Sequence, residues 1–266
     1  MNWQPNVLPL VFGLIAGLTV YIGAITLYRA RKTLSTRGIG FLQALAGGIL
    51  GYLALETGHA ASEYIEELAK PATFVEFIVA SVVTTIAFLA TYLSLASVEN
   101  NMKRGKTPSL GIYTGYVVAL ALGIHNVGEG FAIAASLLAG ALASAILFTI
   151  GFAIHNATEG FAIVGPLLGE ARQHVDHTVL LGLSMLAGLP TVLGSAVFYT
   201  GIGSELFLAT LNTIATASIV YAMLHVNLSA LGRLGGVSSP LFWTAITLGV
   251  VVAFSTESVA LFALAG

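Results

Sequence analysis

Eight predominantly apolar stretches of 20 or more residues, joined by short charged connections, decide the architecture of this chain before any motif is considered. They fall at roughly 7–28, 39–60, 73–97, 110–138, 142–166, 178–200, 206–230 and 240–264. A helix needs about 20 apolar residues to cross the hydrocarbon core of a bilayer, whereas a barrel strand needs only about ten. The runs are therefore read as eight transmembrane helices forming one domain over 1–266, an all-α integral membrane protein. Composition agrees. The chain is 57% hydrophobic and 8% charged, against about 25% charged in an ordinary soluble domain, too little charge to cover a surface facing water. There is no cysteine, which excludes disulfides, thiolate metal sites and thiol catalysis. The first run lacks the basic start and small-residue cleavage site of a signal peptide and is read as a retained span.

Lys and Arg set the orientation. Arg29, Arg31, Lys32 and Arg37 lie between the first and second spans, and Lys103, Arg104 and Lys106 between the third and fourth. Arg172 follows the fifth and Arg233 the seventh. With eight spans, these nine of ten basic residues share one face, and only Lys70 falls on the other. The expected placement is a multi-pass cell-membrane protein with both termini on the non-cytoplasmic side. That side carries Glu63, Glu66, Glu67 and Glu205. An acidic face can concentrate cations, or these residues simply solubilise loops; both readings are open.

Inside the apolar runs a motif is repeated. Ile124-His125-Asn126-Val127-Gly128-Glu129-Gly130-Phe131-Ala132-Ile133 returns as Ile154-His155-Asn156-Ala157-Thr158-Glu159-Gly160-Phe161-Ala162-Ile163. The connection between the two spans, Ala139 to Ala141, is short enough to make them an antiparallel hairpin. His and Glu four residues apart share one helical face, one turn apart, and Asn lies beside that stripe. So His125, Asn126 and Glu129 converge, as do His155, Asn156 and Glu159. Ionisable groups at this depth are costly and are functional candidates by default. Two facing carboxylates repel, and a divalent cation between them relieves both the burial and the repulsion. Imidazole, carboxylate and amide oxygen are suitable donors for zinc and other first-row divalent ions. The competing reading is a His–Glu hydrogen-bonded pair that only glues helices, which repetition on adjacent helices disfavours.

Other polar residues within the spans carry weaker signals. Glu56, His59 and Glu63 suit one face of the second span, leading toward the acidic side. They are either a staging path for an ion or a polar helix end. His225, near Asn227 in the seventh span, is either a pathway ligand or a packing histidine. Glu257 lies in the eighth span beside Ser255 and Thr256, and Glu76 and Glu99 flank the third. His174, Asp176 and His177 fall between the fifth and sixth spans, where they either receive an ion on the cytoplasmic side or, the preferred reading, belong to a solvated loop. Pro166 is expected to bend the end of the fifth span. The abundant glycines are read as helix packing.

The two motifs, their hairpin and the eight-span layout together resemble the ZIP (Zrt/Irt-like) family of divalent metal transporters over nearly the whole chain, most strongly across 110–166. The resemblance implies a three-two-three arrangement of helices, with inverted three-helix units around a central fourth and fifth helix. It implies that His125, Glu129, His155 and Glu159 bind the transported ion and that Asn126 and Asn156 help form a second metal position. Three departures stand out, one of them in the seventh helix, where His225 and Asn227 stand in place of family carboxylates. Thr191, in Ala187-Gly188-Leu189-Pro190-Thr191-Val192, occupies the place of a bridging Glu, and a hydroxyl cannot replace that charge. The connection Glu99 to Thr107 has no His.

The expected function is transport of Zn²⁺, or of Fe²⁺ or Mn²⁺, toward the cytoplasm by alternating access, with the metal as substrate and no catalytic cofactor. The expected partners are the ion and the lipid bilayer; a homodimer is left open. The alternatives are a membrane-embedded metalloenzyme and a metal-binding sensor. The chain lacks the Glu-x-x-His spacing of di-metal bundles and the His-Glu-x-x-His of zinc proteases. It also lacks a nucleotide-binding Gly-rich Lys motif, and nothing in it supports nucleic-acid binding.

Overall fold

The computed structural model describes residues 7–104, 110–168, 175–201 and 204–265. Its long elements are eight helices: α1 Leu8–Ala30, α2 Thr36–Glu67, α3 Phe74–Arg104, α4 Leu110–Leu138, α5 Leu142–Leu167, α6 His177–Ala196, α7 Glu205–Leu234 and α8 Pro240–Ala265. All eight are long and apolar enough to cross a membrane, the construction of a multi-pass membrane protein. Among the described residues there is no strand.

The helices match the expected spans, but α2 runs seven residues past residue 60 and α3 seven past residue 97. At 1.5 Å per residue the 32 residues of α2 measure about 48 Å, well beyond a hydrocarbon core of about 30 Å. Glu63, Glu66 and Glu67 therefore stand on exposed helical turns rather than in a loop. Helix starts are set by local chemistry. The Ser35 side chain accepts from the Gly38 N–H, and the Ser204 side chain from the Phe207 N–H. Asp176 caps α6 in the same way through the Thr178 N–H, a contact that holds its exposed carboxyl below the ordinary range. The His177 ring packs edge-on against Tyr28. Asp176 and His177 are thus a cap and a packing contact rather than a loop, while His174 lies outside the described residues.

Packing sorts the helices into two groups. In one, α1, α4, α5 and α6 lie against one another; in the other, α2 packs on α7 and α8, and α3 on α7. The groups meet mainly where α4 faces α7 and α2 faces α5. α4 is the most enclosed helix, and α3 and α8 are the most peripheral. Exchanging α1 with α6, α2 with α7, α3 with α8 and α4 with α5 leaves the pattern of partners unchanged: α1 packs on α5 as α6 does on α4, and α2 on α8 as α7 does on α3. The exchanged helices run in opposite directions, so the pattern is that of an inverted repeat.

The correspondence extends to atoms. A Cβ on Gly160 would meet the backbone of Val20 and Ala24 on α1, and one on Gly130 would meet the backbone of Thr191 and Ser195 on α6. Gly23 sits against the Ala157 carbonyl as Gly194 sits against that of Val127. Backbones this close require glycine. Pro190, inside α6, lacks the N–H that would bond the Leu186 carbonyl, and that carbonyl faces Gly123 of α4.

Candidate metal centre

The repeated motif places its polar side chains at the α4–α5 contact, inside the first helix group. His125 is 3% exposed, Glu129 4% and Glu159 1%, and both Asn side chains are fully buried. The two amides brace the opposite carboxylates reciprocally. Asn126 Nδ2 donates to Glu159 Oε2 and to the Ala187 carbonyl, each at 3.0 Å. Asn156 Nδ2 donates to Glu129 Oε2 at 2.8 Å and to the Ala16 carbonyl at 3.3 Å. Ala16 and Ala187 hold equivalent places on α1 and α6, so each Asn ties one carboxylate to the outer helix of the other repeat.

The histidines break this symmetry. His155 Nε2 contacts Glu129 Oε1, and His125 Nε2 stands 3.3 Å from the same oxygen. His125, Glu129 and His155 each offer a ligand atom within 4.8 Å of the others. Glu159 falls outside this compact group. The four ionisable motif residues, equal in the sequence, thus divide into a triad and a neighbouring carboxylate.

The unsatisfied atoms are concentrated here. Both ring nitrogens of His125, Oδ1 of Asn126 and of Asn156, Oε1 of Glu159 and Oγ1 of Thr191 are buried without a hydrogen-bond partner. Leaving a buried polar atom unpaired costs about 1–3 kcal/mol, and native interiors contain few such atoms. The 3.3 Å separation of His125 Nε2 from Glu129 Oε1 makes no hydrogen bond. A cation accepting both lone pairs would satisfy this arrangement. The nitrogen–oxygen donor set suits zinc and other first-row divalent ions. Outer partners of a metal site change its affinity about 10–100-fold. Asn126→Ala and Asn156→Ala are each expected to weaken Zn²⁺ binding within that range, measured by equilibrium dialysis of the purified protein.

A cavity of about 220 Å³ reaches the triad. It lies between α2, α5 and α8, and its polar lining is Glu56, His155, Thr158, Thr256 and Glu257. His155 and Thr158 lie mid-helix, and the remaining α5 lining, from Leu147 to Ile154, lies toward the α4–α5 turn. The cavity therefore extends to the side that carries Glu63, Glu66 and Glu67. Of the three second-span candidates, Glu56 lines this cavity, while His59 and Glu63 are on exposed turns beyond it. Glu257 lines the cavity too, and the Tyr52 hydroxyl donates to its Oε2.

His225 belongs elsewhere. Its Nε2 lies 3.0 Å from Glu99 Oε2 and its Nδ1 lies 2.9 Å from the Tyr221 carbonyl. Both nitrogens are engaged, the arrangement of the packing alternative, in a pair with Glu99. Glu99 in turn is largely enclosed, its side chain 14% exposed. Its partner across the repeat is legible in hindsight: Tyr52-Leu53-Ala54-Leu55-Glu56 and Tyr221-Ala222-Met223-Leu224-His225 share a Tyr four residues before the ionisable group.

No protein-family model matches the chain, and no curated protein matches it by sequence. Fold and site together define a multi-pass helical membrane protein with a buried His/Glu group able to hold a metal ion.

Proposed function

We propose that this protein is a secondary transporter of divalent cations, with zinc the first candidate and iron and manganese the alternatives. The observation that carries the reading is the cluster of buried, unpartnered donor atoms on the repeated motif around the His125–Glu129–His155 triad. A helix-gluing pair would satisfy its own atoms; a binding site leaves them for a guest. The cavity past Glu56 and Glu257 supplies a route from the acidic side, and the ZIP-like motif spacing points the same way. The proposed direction is toward the basic face, taken as cytoplasmic by the distribution of Lys and Arg, with both termini opposite.

The two helix groups supply the moving parts. Close glycine contacts such as Gly17 with Gly188 and Gly48 with Ile246 lie inside a group. Where the groups meet, Gly128 makes only ordinary contact with Ala215, and the close approach of Gly165 on α5 is to the Gln43 side chain of α2 rather than to its backbone. Relative movement of the groups would expose the triad alternately to the two sides, with the ion carried by the first group. Thr191 offers a hydroxyl without charge, so the site is proposed to hold one ion.

The test is uptake into proteoliposomes of Zn²⁺, Fe²⁺ and Mn²⁺, comparing wild type with a Glu129→Ala/Glu159→Ala variant. Uptake in wild type that disappears in the variant supports the reading. Metal binding without uptake of any ion by wild type sinks it in favour of a sensor or an enzyme.

A further inference from the structure

We propose that Glu99 and His225 form a proton-binding site that locks the basic side of the molecule. The protonation follows from hydrogen-bond donors and acceptors. The Tyr221 carbonyl can only accept, so Nδ1 of His225, 2.9 Å away, carries a hydrogen. Glu99 is held as a carboxylate: Lys103 Nζ lies 2.6 Å from Oε1, and the Tyr221 hydroxyl donates to Oε2. A carboxylate also only accepts. Nε2 of His225, 3.0 Å from Oε2, therefore carries a hydrogen too. The ring is an imidazolium, stacked on the Tyr221 ring at 4.5 Å.

The repeat gives this pair its meaning. Tyr221, His225 and Glu99 on α7 and α3 correspond to Tyr52, Glu56 and Glu257 on α2 and α8. In both places a Tyr hydroxyl bonds a Glu carboxylate from the neighbouring peripheral helix. On the acidic side the third group is a second carboxylate; like charges disfavour closure, and a cavity lies there. On the basic side the third group is a cation that draws α7 and α3 together. Tyr113 of α4 adds a tie across the two helix groups by donating to the Glu99 carbonyl. The residue at the equivalent place on α5 is Ala143, which has no hydroxyl to give. One proton on His225 thus holds α7 to α3 on the basic side, and losing it leaves a bare nitrogen against a carboxylate. The groups facing the ring are Glu99 and, around it, Lys103 of α3, Tyr221 of α7, Tyr92 edge-on to Tyr221, and Tyr113 of α4.

The test uses the full chain in lipid bilayers. Nitrogen-15 spectra of His225, assigned through its backbone, are expected to show both ring nitrogens protonated at neutral pH. A single protonated nitrogen overturns the proposal. Amide hydrogen exchange at the basic end of α3 gives the second readout. A hydrogen bond to a charged group is worth about 1.5–3 kcal/mol, so His225→Gln is expected to speed exchange at least about tenfold, while His225→Lys, a permanent cation, holds it near wild type. Equal exchange in wild type and His225→Gln also overturns the proposal. Neither readout involves metal, so the result stands or falls apart from the transport reading.

Discussion

Glu129→Gln is expected to abolish metal binding by the purified protein, lowering Zn²⁺ affinity by more than about 100-fold, beyond what the loss of an outer partner costs. The substitution keeps the shape of the side chain and removes only its charge and one acceptor. Glu129 is the carboxylate on which both histidines converge and which Asn156 braces. Glu159→Gln is expected to cost at least tenfold less, because Glu159 stands outside the compact triad and is held by Asn126. The sequence alone treats the two carboxylates as equals, so their order is a direct test of the geometry. Isothermal titration with Zn²⁺ on both variants decides it: equal losses would mean the centre is shared across four ionisable residues.

The second large effect is on the fold. Gly160→Ala gains about 1 kcal/mol of helix propensity, but its new methyl would be driven into the backbone of Val20, Gly23 and Ala24. Overpacking costs about 1–3 kcal/mol even where side chains can shift, and here the obstacle is main chain, so the clash prevails. The variant is expected to lose thermal stability in detergent and to separate α1 from α5. Gly130→Ala should behave alike, because Gly130 meets Thr191 and Ser195 of α6 in the equivalent way. Gly182→Ala is the control: nothing lies within 4 Å of its Cβ position, so it should melt at or above the wild-type temperature. A Gly160→Ala variant as stable as wild type would mean that α1 and α5 are not in backbone contact.

Much of this molecule is legible in its residues, for identifiable reasons. Hydrophobic length marks all eight helices, because a bilayer demands about 20 apolar residues whatever the tertiary packing. The triad was within reach because His125, Glu129 and His155 stand out against Ala, Leu and Ile in a motif that repeats at close range. The inverted repeat was expected only through the family resemblance, not from the pattern of residues itself. Its two copies share backbone approach rather than residue type: Gly160 meets Val20 and Ala24, where Gly130 meets Thr191 and Ser195. Periodicity cannot show that. Nor could spacing reveal that Tyr113, His225 and Glu99, on three different helices, come together. Glu257 was visible as an anomaly in its span, but only the fold shows it sharing a cavity with Glu56 and His155.

The interchangeable packing of the two halves also bears on energy. In the proposed transport cycle, a molecule whose contacts survive the exchange of its repeats has two conformations, related by exchange of the halves and near each other in free energy. The balance between them is then set by the few positions where the repeats differ, Tyr113 against Ala143 and His225 against Glu56 among them. Each 1.4 kcal/mol contributed there changes the ratio tenfold. A handful of unmatched side chains, rather than the bulk of the core, would govern how the population divides, and small substitutions at those places should shift it without harming the fold.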